Sequence, residues 1–487
     1  MKAISKIIII SVLALMTLIL INAFLHTPST DKNPTPINFT IDEKRAINHL
    51  SKSIEFETIS NQNASSKDLK EFLDFIDWIK ISYKLVAKNT SLEMFNQTLL
   101  FRWEGKDSNL QPILLTGHYD VVPVIPGTEN KWQEPPFSGK IDSGYIWGRG
   151  ALDDKSGVIG ILEAVTYLME EGFQPERTVY LSFGHDEEIG GVNGAALVAK
   201  HLADREIQLE WSLDEGSFLL GGFIPNVDKL VAAINVAEKG SVTLQVVGKA
   251  EGGHSSMPTS QSAVGHLSKA LAKLEDNRMS GELEGLSLQM FDEMSRHMPF
   301  IYKIAFANRW LFGGLIDSYL AKIPATNAMI RTTTAPTMLS ASIKTNVLPI
   351  EAVGTVNFRI HPRNSVADVF DHVRGLVESD DVEIREMYYS GRPASEVSSW
   401  ESSGYKVIES SVREIYGDVV VAPGLMIAGS DSRHYGKVAD DAYRFNPFPL
   451  SNEEFAGFHG TNERIKTDAF IKGIKTYIRI IEVGASQ

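Results

Sequence analysis

Apolar residues recur at helical spacing over residues 69–85, which predicts an amphipathic helix there. A short apolar run at 112–116 has the length of a buried strand, and 156–169 fits a helix that begins with small residues. Residues 178–183 predict another strand and 194–202 another helix. Strand and helix alternating in this way specify an α/β fold, a central mixed sheet with helices on both faces. In such sheets ligands bind at the carboxyl ends of the strands. From about Glu238 the pattern changes. An alternating strand at 241–247 precedes a Gly-Gly turn and a helix at 263–274; a strand at 354–360, a helix at 366–377 and a strand at 382–389 come later. The order predicts an α+β lid domain over 238–391, inserted into a larger domain formed by 41–237 and 392–487. Residues 279–336 carry few clean signals and read as an insertion within the smaller domain.

The first residues follow a different pattern. Lys2 and Lys6 precede an apolar run over 7–25, interrupted only by Ser11, Thr17 and Asn22. A run of this length spans a bilayer as a helix, and basic residues before it keep the N-terminus in the cytoplasm. Residues 1–26 therefore predict a signal anchor, with a cleaved signal peptide as the alternative; no small-x-small cleavage site is evident. Residues 27–40, polar and proline-containing, read as a linker. The body is expected outside the cytoplasm, in a periplasmic, lumenal or extracellular space, either anchored or secreted.

Composition narrows the chemistry. The 487 residues carry 47 Lys and Arg against 61 Asp and Glu, a net charge of −14. That balance argues against nucleic acid, whose phosphates need a basic surplus. Cysteine is absent, which excludes disulfides, thiolate metal sites and a Cys nucleophile. Any metal must sit on His, Asp and Glu.

Those residue types collect where strands are expected to end. His118 stands just past the strand at 112–116, with Asp120 two residues on and pointing the same way in extended chain. A metal-binding His commonly hands its second ring proton to a carboxylate, and the His-x-Asp spacing supplies one; the alternative is a surface His beside a turn Asp. Asp153 and Asp154 precede the helix at 156–169, and either could bridge two metals or merely cap the helix. Glu187 and Glu188 follow the strand at 178–183. Neighbours there face different ways, so one could bind metal while the other faces a reacting water. Asp214 closes a fourth strand-like stretch, and His459 stands far along the chain in the segment 457–463. Together these groups suit a pair of divalent ions.

The segments around His118, Asp153, Glu187, Asp214 and His459 occur in an order that resembles the M-twenty metallopeptidase family, over nearly the whole chain after the linker. The runs 148–155, 327–334 and 430–435 are most similar to the vacuolar Gly-Xaa carboxypeptidases and the secreted N-fatty-acyl-amino-acid hydrolases of that family. The resemblance implies two zinc ions per chain, with cobalt or manganese as substitutes. It implies that Asp153 bridges them, that His118 and Asp214 hold one and Glu188 and His459 the other, that Asp120 orients His118, and that Glu187 is the general base. In the smaller domain, the run 251–258 resembles a lid motif whose histidine, here His254, stabilises an oxyanion, in many members that of a partner subunit. A homodimer through the lid is thereby implied. Arg359 matches a lid arginine that binds the substrate carboxylate, its planar fork suiting that task. Asn327 and Arg433 are further candidates for substrate contacts. His185, His266, His297, His361 and His434 are assigned no role.

The expected function is hydrolysis of an amide bond adjacent to a free carboxylate. The substrate is a short peptide cleaved by a carboxypeptidase or an N-acyl amino acid handled by an aminoacylase, in the hydrolytic or the condensing direction. A catalytically silent binding protein on the same fold is the reading from a different class. The presence of Glu187 and of every expected ligand favours the enzyme.

Overall fold

The computed structural model describes residues 2–28, 34–61, 66–222, 226–388 and 390–486. Helices α1 (Lys2–Leu25), α2 (Glu43–Ile54), α3 (Ser66–Ser82) and α4 (Lys84–Asn89) come first. Strands β1 (Ser91–Phe95), β2 (Thr98–Trp103) and β3 (Ile113–His118) lead to α5 (Lys155–Glu170). Then come β4 (Val179–Gly184), α6 (Ala195–Asp204), β5 (Leu209–Gly221) and β6 (Leu230–Glu238).

The next stretch holds β7 (Gly240–Lys249), α7 (Ala263–Asp276), α8 (Gly285–Ser295), α9 (Phe300–Ala307), α10 (Arg309–Leu320) and α11 (Pro324–Ile330). It continues through β8 (Thr333–Ser340), β9 (Glu351–Ile360), α12 (Val366–Leu376) and β10 (Val382–Glu386). The chain finishes with α13 (Ser403–Tyr416), β11 (Val420–Met426), β12 (Ala439–Leu450) and α14 (Thr467–Gly484).

Eight strands form one mixed sheet in the order β1-β2-β4-β3-β5-β12-β6-β11. β3 runs parallel to β4 and β5, β12 parallel to β5, and β11 parallel to β6, while β1, β2 and β4 pair antiparallel. The central strands are buried on both faces, which is why they read as continuous apolar runs. Helix α5 is buried nearly all round and meets α14 so closely that a Cβ on Gly160 would lie 3.2 Å from the Tyr477 ring. The strand at 112–116 and the helix at 156–169 are thus β3 and α5, displaced by a residue or two at their ends.

β7 to β10 form a second, four-stranded antiparallel sheet in the order β8-β9-β7-β10. Its inner face, with Val242, Leu244, Val356 and Phe358, packs on Leu267 of α7 and on Val369 and Val373 of α12. Ser365 and Asp368 close a reciprocal cap that fixes where α12 begins.

Three expectations change. The helix predicted over 69–85 stops at Ser82. It restarts after Tyr83, whose buried hydroxyl donates to Glu163 at 2.9 Å. The strand predicted over 382–389 ends at Glu386, and Tyr389 lies outside the described residues. The segment 279–336 builds four helices, α8 to α11, and strand β8. These helices do not pack within the smaller domain: Met290, Phe291 and Phe306 share a core with Val231 of β6 and with Val420 and Ala422 of β11, at the edge of the large sheet. Finally, α1 is a membrane-length apolar helix whose residues 3–18 are exposed, while Ala23 and His26 are buried against the body.

Candidate metal centre

The carboxyl ends of β3 and β4 meet the middle of β5, where Asp214 and Glu215 lie. His118 is the last residue of β3 and is 1% exposed. Its Nδ1 lies 3.0 Å from the Asp120 carbonyl oxygen and 3.3 Å from the Asp120 carboxylate. The Asp120 carboxylate also accepts the backbone N–H groups of Glu187 and Glu188, each at 3.1 Å. One buried side chain thereby fixes both the His118 ring and the turn that carries the two glutamates.

Asp153 stands in the loop before α5. One of its carboxylate oxygens lies 3.0 Å from His118 Nε2 and the other 2.6 Å from His459 Nε2. Glu188 Oε1 is 3.3 Å from the same His459 nitrogen. The potential donor atoms therefore form two groups, His118 with Glu187 and Glu215, and Asp153 with Glu188 and His459. Asp153 touches the histidine of each.

The expectation for β5 fell on Asp214, but the structure brings Glu215 to His118, with Oε1 3.6 Å from Nε2. Neighbouring residues of an extended strand face opposite ways. Asp214 turns back to accept the Glu215 backbone N–H at 2.9 Å, leaving its other oxygen buried without a partner. The short motif from Leu213 to Ser217 carried both acids, and spacing alone could not tell which faces the histidine.

Charge is concentrated here. Burial opposes protonation of His118, yet the hydrogen bonds its ring donates to Asp120, Asp153 and Glu215 raise its pKa well above the usual imidazole range. Asp153 and Glu188 push His459 up to about 10. Burial and neighbouring acids push Glu215 up to about 8 and drive Glu187 well above the usual carboxylate range. A pocket of buried acids that holds protons this firmly is one that attracts cations. Glu188 Oε1 is buried, with the His459 ring nitrogen 3.3 Å away. Nitrogen and oxygen donors of this kind fit zinc and its neighbours.

Beside the acids opens a cavity of about 500 Å³ whose lining includes Lys239, Arg359, Arg392 and Arg433. Arg433 Nη2 lies 3.9 Å from Glu187, so the basic wall adjoins the acidic centre. Arg359, near the end of β9, reaches this cavity from the second sheet. Lys239, which sequence reasoning passed over, is 4% exposed and donates to the carbonyls of Ala328 and Arg331. Asn327 sits in α11 beside that contact, its Oδ1 buried and unpartnered. His254 is not drawn in: it is exposed, paired with Ser256 Oγ at 2.8 Å, and meets none of these residues.

Glu463 was also passed over. Its carboxylate accepts the backbone N–H groups of Gly150, Leu152 and Asp153 and the Arg149 guanidinium, all from the loop that bears Asp153. It shares its own segment with His459.

An α/β fold with a metal-type cluster at its strand ends and a basic cleft alongside defines a metal-dependent hydrolase. Residues 114–483 match the model of peptidase family M20/M25/M40, and the chain belongs to this family of metal-dependent enzymes, being of its carboxypeptidase or acylase type. It is 40% identical to probable carboxypeptidase S-like 2 of Dictyostelium discoideum, across 91% of this chain and 86% of that protein. It is 36% identical to the N-fatty-acyl-amino acid synthase/hydrolase PM20D1 of Xenopus tropicalis, again across 91% and 86%. The fold is also that of an M20 family metallo-carboxypeptidase, Sso-CP2, from Sulfolobus solfataricus, with a TM-score of 0.64 at 18% identity, covering 90% of this chain and 98% of that one.

Proposed function

We propose that this chain holds two zinc ions and hydrolyses an amide bond next to a free carboxylate, taking short peptides or N-acyl amino acids. The observation that carries the proposal is the Asp153 carboxylate, which divides its two oxygens between His118 and His459, with Glu187 and Glu188 on either side. His118 and Glu215 would hold one ion, Glu188 and His459 the other, and Asp153 both. Ions in these positions supply a polarising charge for the scissile carbonyl and lower the pKa of bound water.

The chain's own groups do the rest. Glu187 faces the same space as the ligands and coordinates nothing in this assignment, so it takes the proton of the attacking water and returns it to the leaving amine. Arg359 and Arg433, with Lys239 and Arg392 behind them, bind the substrate carboxylate. His254 serves a second copy of the chain, donating to the developing oxyanion there across a lid-mediated dimer. The apolar α1 anchors the enzyme, with its body outside the cytoplasm.

The two names among the relatives, a carboxypeptidase and an N-fatty-acyl-amino acid hydrolase, describe substrates that share the amide and the carboxylate. The test compares each class with its C-terminally amidated counterpart. Loss of turnover on amidation, and loss after chelation with recovery on adding zinc, are the expected results. Equal turnover of acid and amide would remove the carboxylate from recognition.

A further inference from the structure

Among the described residues, the contacts between the body and α1 lie near its outer end. Asn22 Nδ2 donates to Asn308 Oδ1 at 2.8 Å, and Asn308 Nδ2 donates to the carbonyls of Ile19 and Ile304 at 3.0 and 2.9 Å. Phe24 and Phe300 pack ring to ring at 4.8 Å. Both partners of this contact, α9 and the short Asn308 link to α10, belong to the segment that showed no clean sequence pattern.

The depth of that contact follows from helix geometry. After Lys6, a hydrocarbon layer of about 30 Å takes about 20 residues at a rise of 1.5 Å each, which reaches His26. Ile19 and Asn22 therefore lie within the outer leaflet when α1 spans. Helices packed against them stand at the same depth.

The surface of those helices fits that place. Ile301 is 68% exposed, Trp310 62% and Leu315 70%, and Leu311 and Tyr319 are exposed beside them. The exposed residues of the 310–319 stretch are Trp310, Leu311, Gly314, Leu315, Ser318 and Tyr319, none of them charged. Arg309, at the edge, is neutralised by Asp292 at 2.6 Å. Tryptophan and tyrosine favour the membrane boundary, and an interhelical asparagine pair is a recurrent tie between helices in lipid.

We propose that α9 and α10 form a membrane-embedded platform, lying in the outer leaflet beside α1 with Ile301, Trp310, Leu311 and Leu315 against the acyl chains of a phospholipid bilayer. The inference rests on α1 being retained as an anchor. Its consequence reaches the site. α10 continues into α11, and the carbonyls of Ala328 and Arg331 at the end of α11 receive Lys239 Nζ from the wall of the cleft. The platform thus fixes the basic cleft close above the lipid surface, where an amphiphile with an anionic head is presented.

The absence of cysteine makes the test direct. The full chain is placed in phosphatidylcholine–phosphatidylglycerol vesicles with one spin label, at Leu13→Cys, Trp310→Cys, Leu315→Cys or Lys200→Cys, and its accessibility to oxygen and to a water-soluble nickel chelate is measured. Labels at 13, 310 and 315 should favour oxygen, and the label at 200, an exposed position of α6, the chelate. If 13 reports lipid while 310 and 315 report water, the platform is wrong and the anchor stands. If 13 reports water, or the chain's mass shows the segment removed, the anchor fails and the platform with it. Labels at 310 and 315 closed to both probes, in a chain that light scattering shows to be dimeric, would give this face to a second copy and overturn the proposal. The unlabelled chain supplies an independent reading: brominated lipid should quench its tryptophan fluorescence less after Trp310→Phe, and an unchanged quench contradicts the inference.

Discussion

The Glu463 carboxylate accepts the Asp153 backbone N–H at 3.3 Å, tying the loop of the shared carboxylate to the segment that carries His459. Its other oxygen faces the buried Arg149 guanidinium. Glu463→Gln keeps the size of the side chain and weakens both holds. Metal affinity is expected to fall by about 10–100-fold, the usual effect of losing a group that orients a ligand. Titration with zinc against a competing chelator measures it. Unchanged affinity with a lowered melting temperature would leave Glu463 with a role in stability alone.

Glu187 and Glu188 share a turn and a side-chain type but are assigned different work. Glu187→Gln should retain its zinc and bind substrate while turnover falls by about 10²–10⁴ or more, the range for losing a general base. Glu188→Gln should lose zinc and activity together. Metal analysis beside single-turnover rates separates them, and the opposite pattern reverses the roles.

A similar contrast applies to Asp214 and Glu215. Glu215→Gln removes the carboxylate that faces His118 and is expected to strip one ion per chain. Asp214→Asn, at a side chain that accepts the Glu215 backbone N–H, should keep both. Zinc loss from Asp214→Asn with retention in Glu215→Gln would restore the ligand expected from the sequence.

Burial beside Arg363 and Lys239 pushes His361 down to about 3, so the native chain keeps this ring neutral. Between about 3 and 6.5 the unfolded chain takes up a proton that the native chain refuses. Stability should therefore fall as pH drops through that window, by up to about 1.4 kcal/mol per pH unit from this group. Urea unfolding at pH 7 and pH 5 checks this: His361→Gln, which keeps a partner for Ser287, should lose less between the two than the parent chain.

Residues were legible in the sequence where a single strand or helix determined their surroundings. His118 could be found because β3 is a buried run that ends on it, and Glu187 and Glu188 because β4 ends just before them. Asp214 and Glu215 stand beside a slip in the pairing of β12 with β5 between Arg444 and Phe445, so simple alternation along an extended strand does not tell which of the two acids faces His118. Glu463 left no trace because most of its partners are backbone N–H groups, which any sequence supplies. Helices α9 and α10 obscured their own period: residues on the outward side are as apolar as those on the inward side, so no polar face marked the repeat.

β12 lies between β5 and β6, in the middle of the large sheet, although it is the last of the eight strands in the chain. A ribosome that has delivered everything through β11 has therefore delivered β5 and β6 joined directly at residues 219–221 and 230–232, with the earlier part of β5 still awaiting the strand that pairs along it. His459 emerges later still, so the centre cannot close around an ion while the chain is nascent. Assembly of the large sheet is thereby completed from the inside, by a strand made after both of its neighbours.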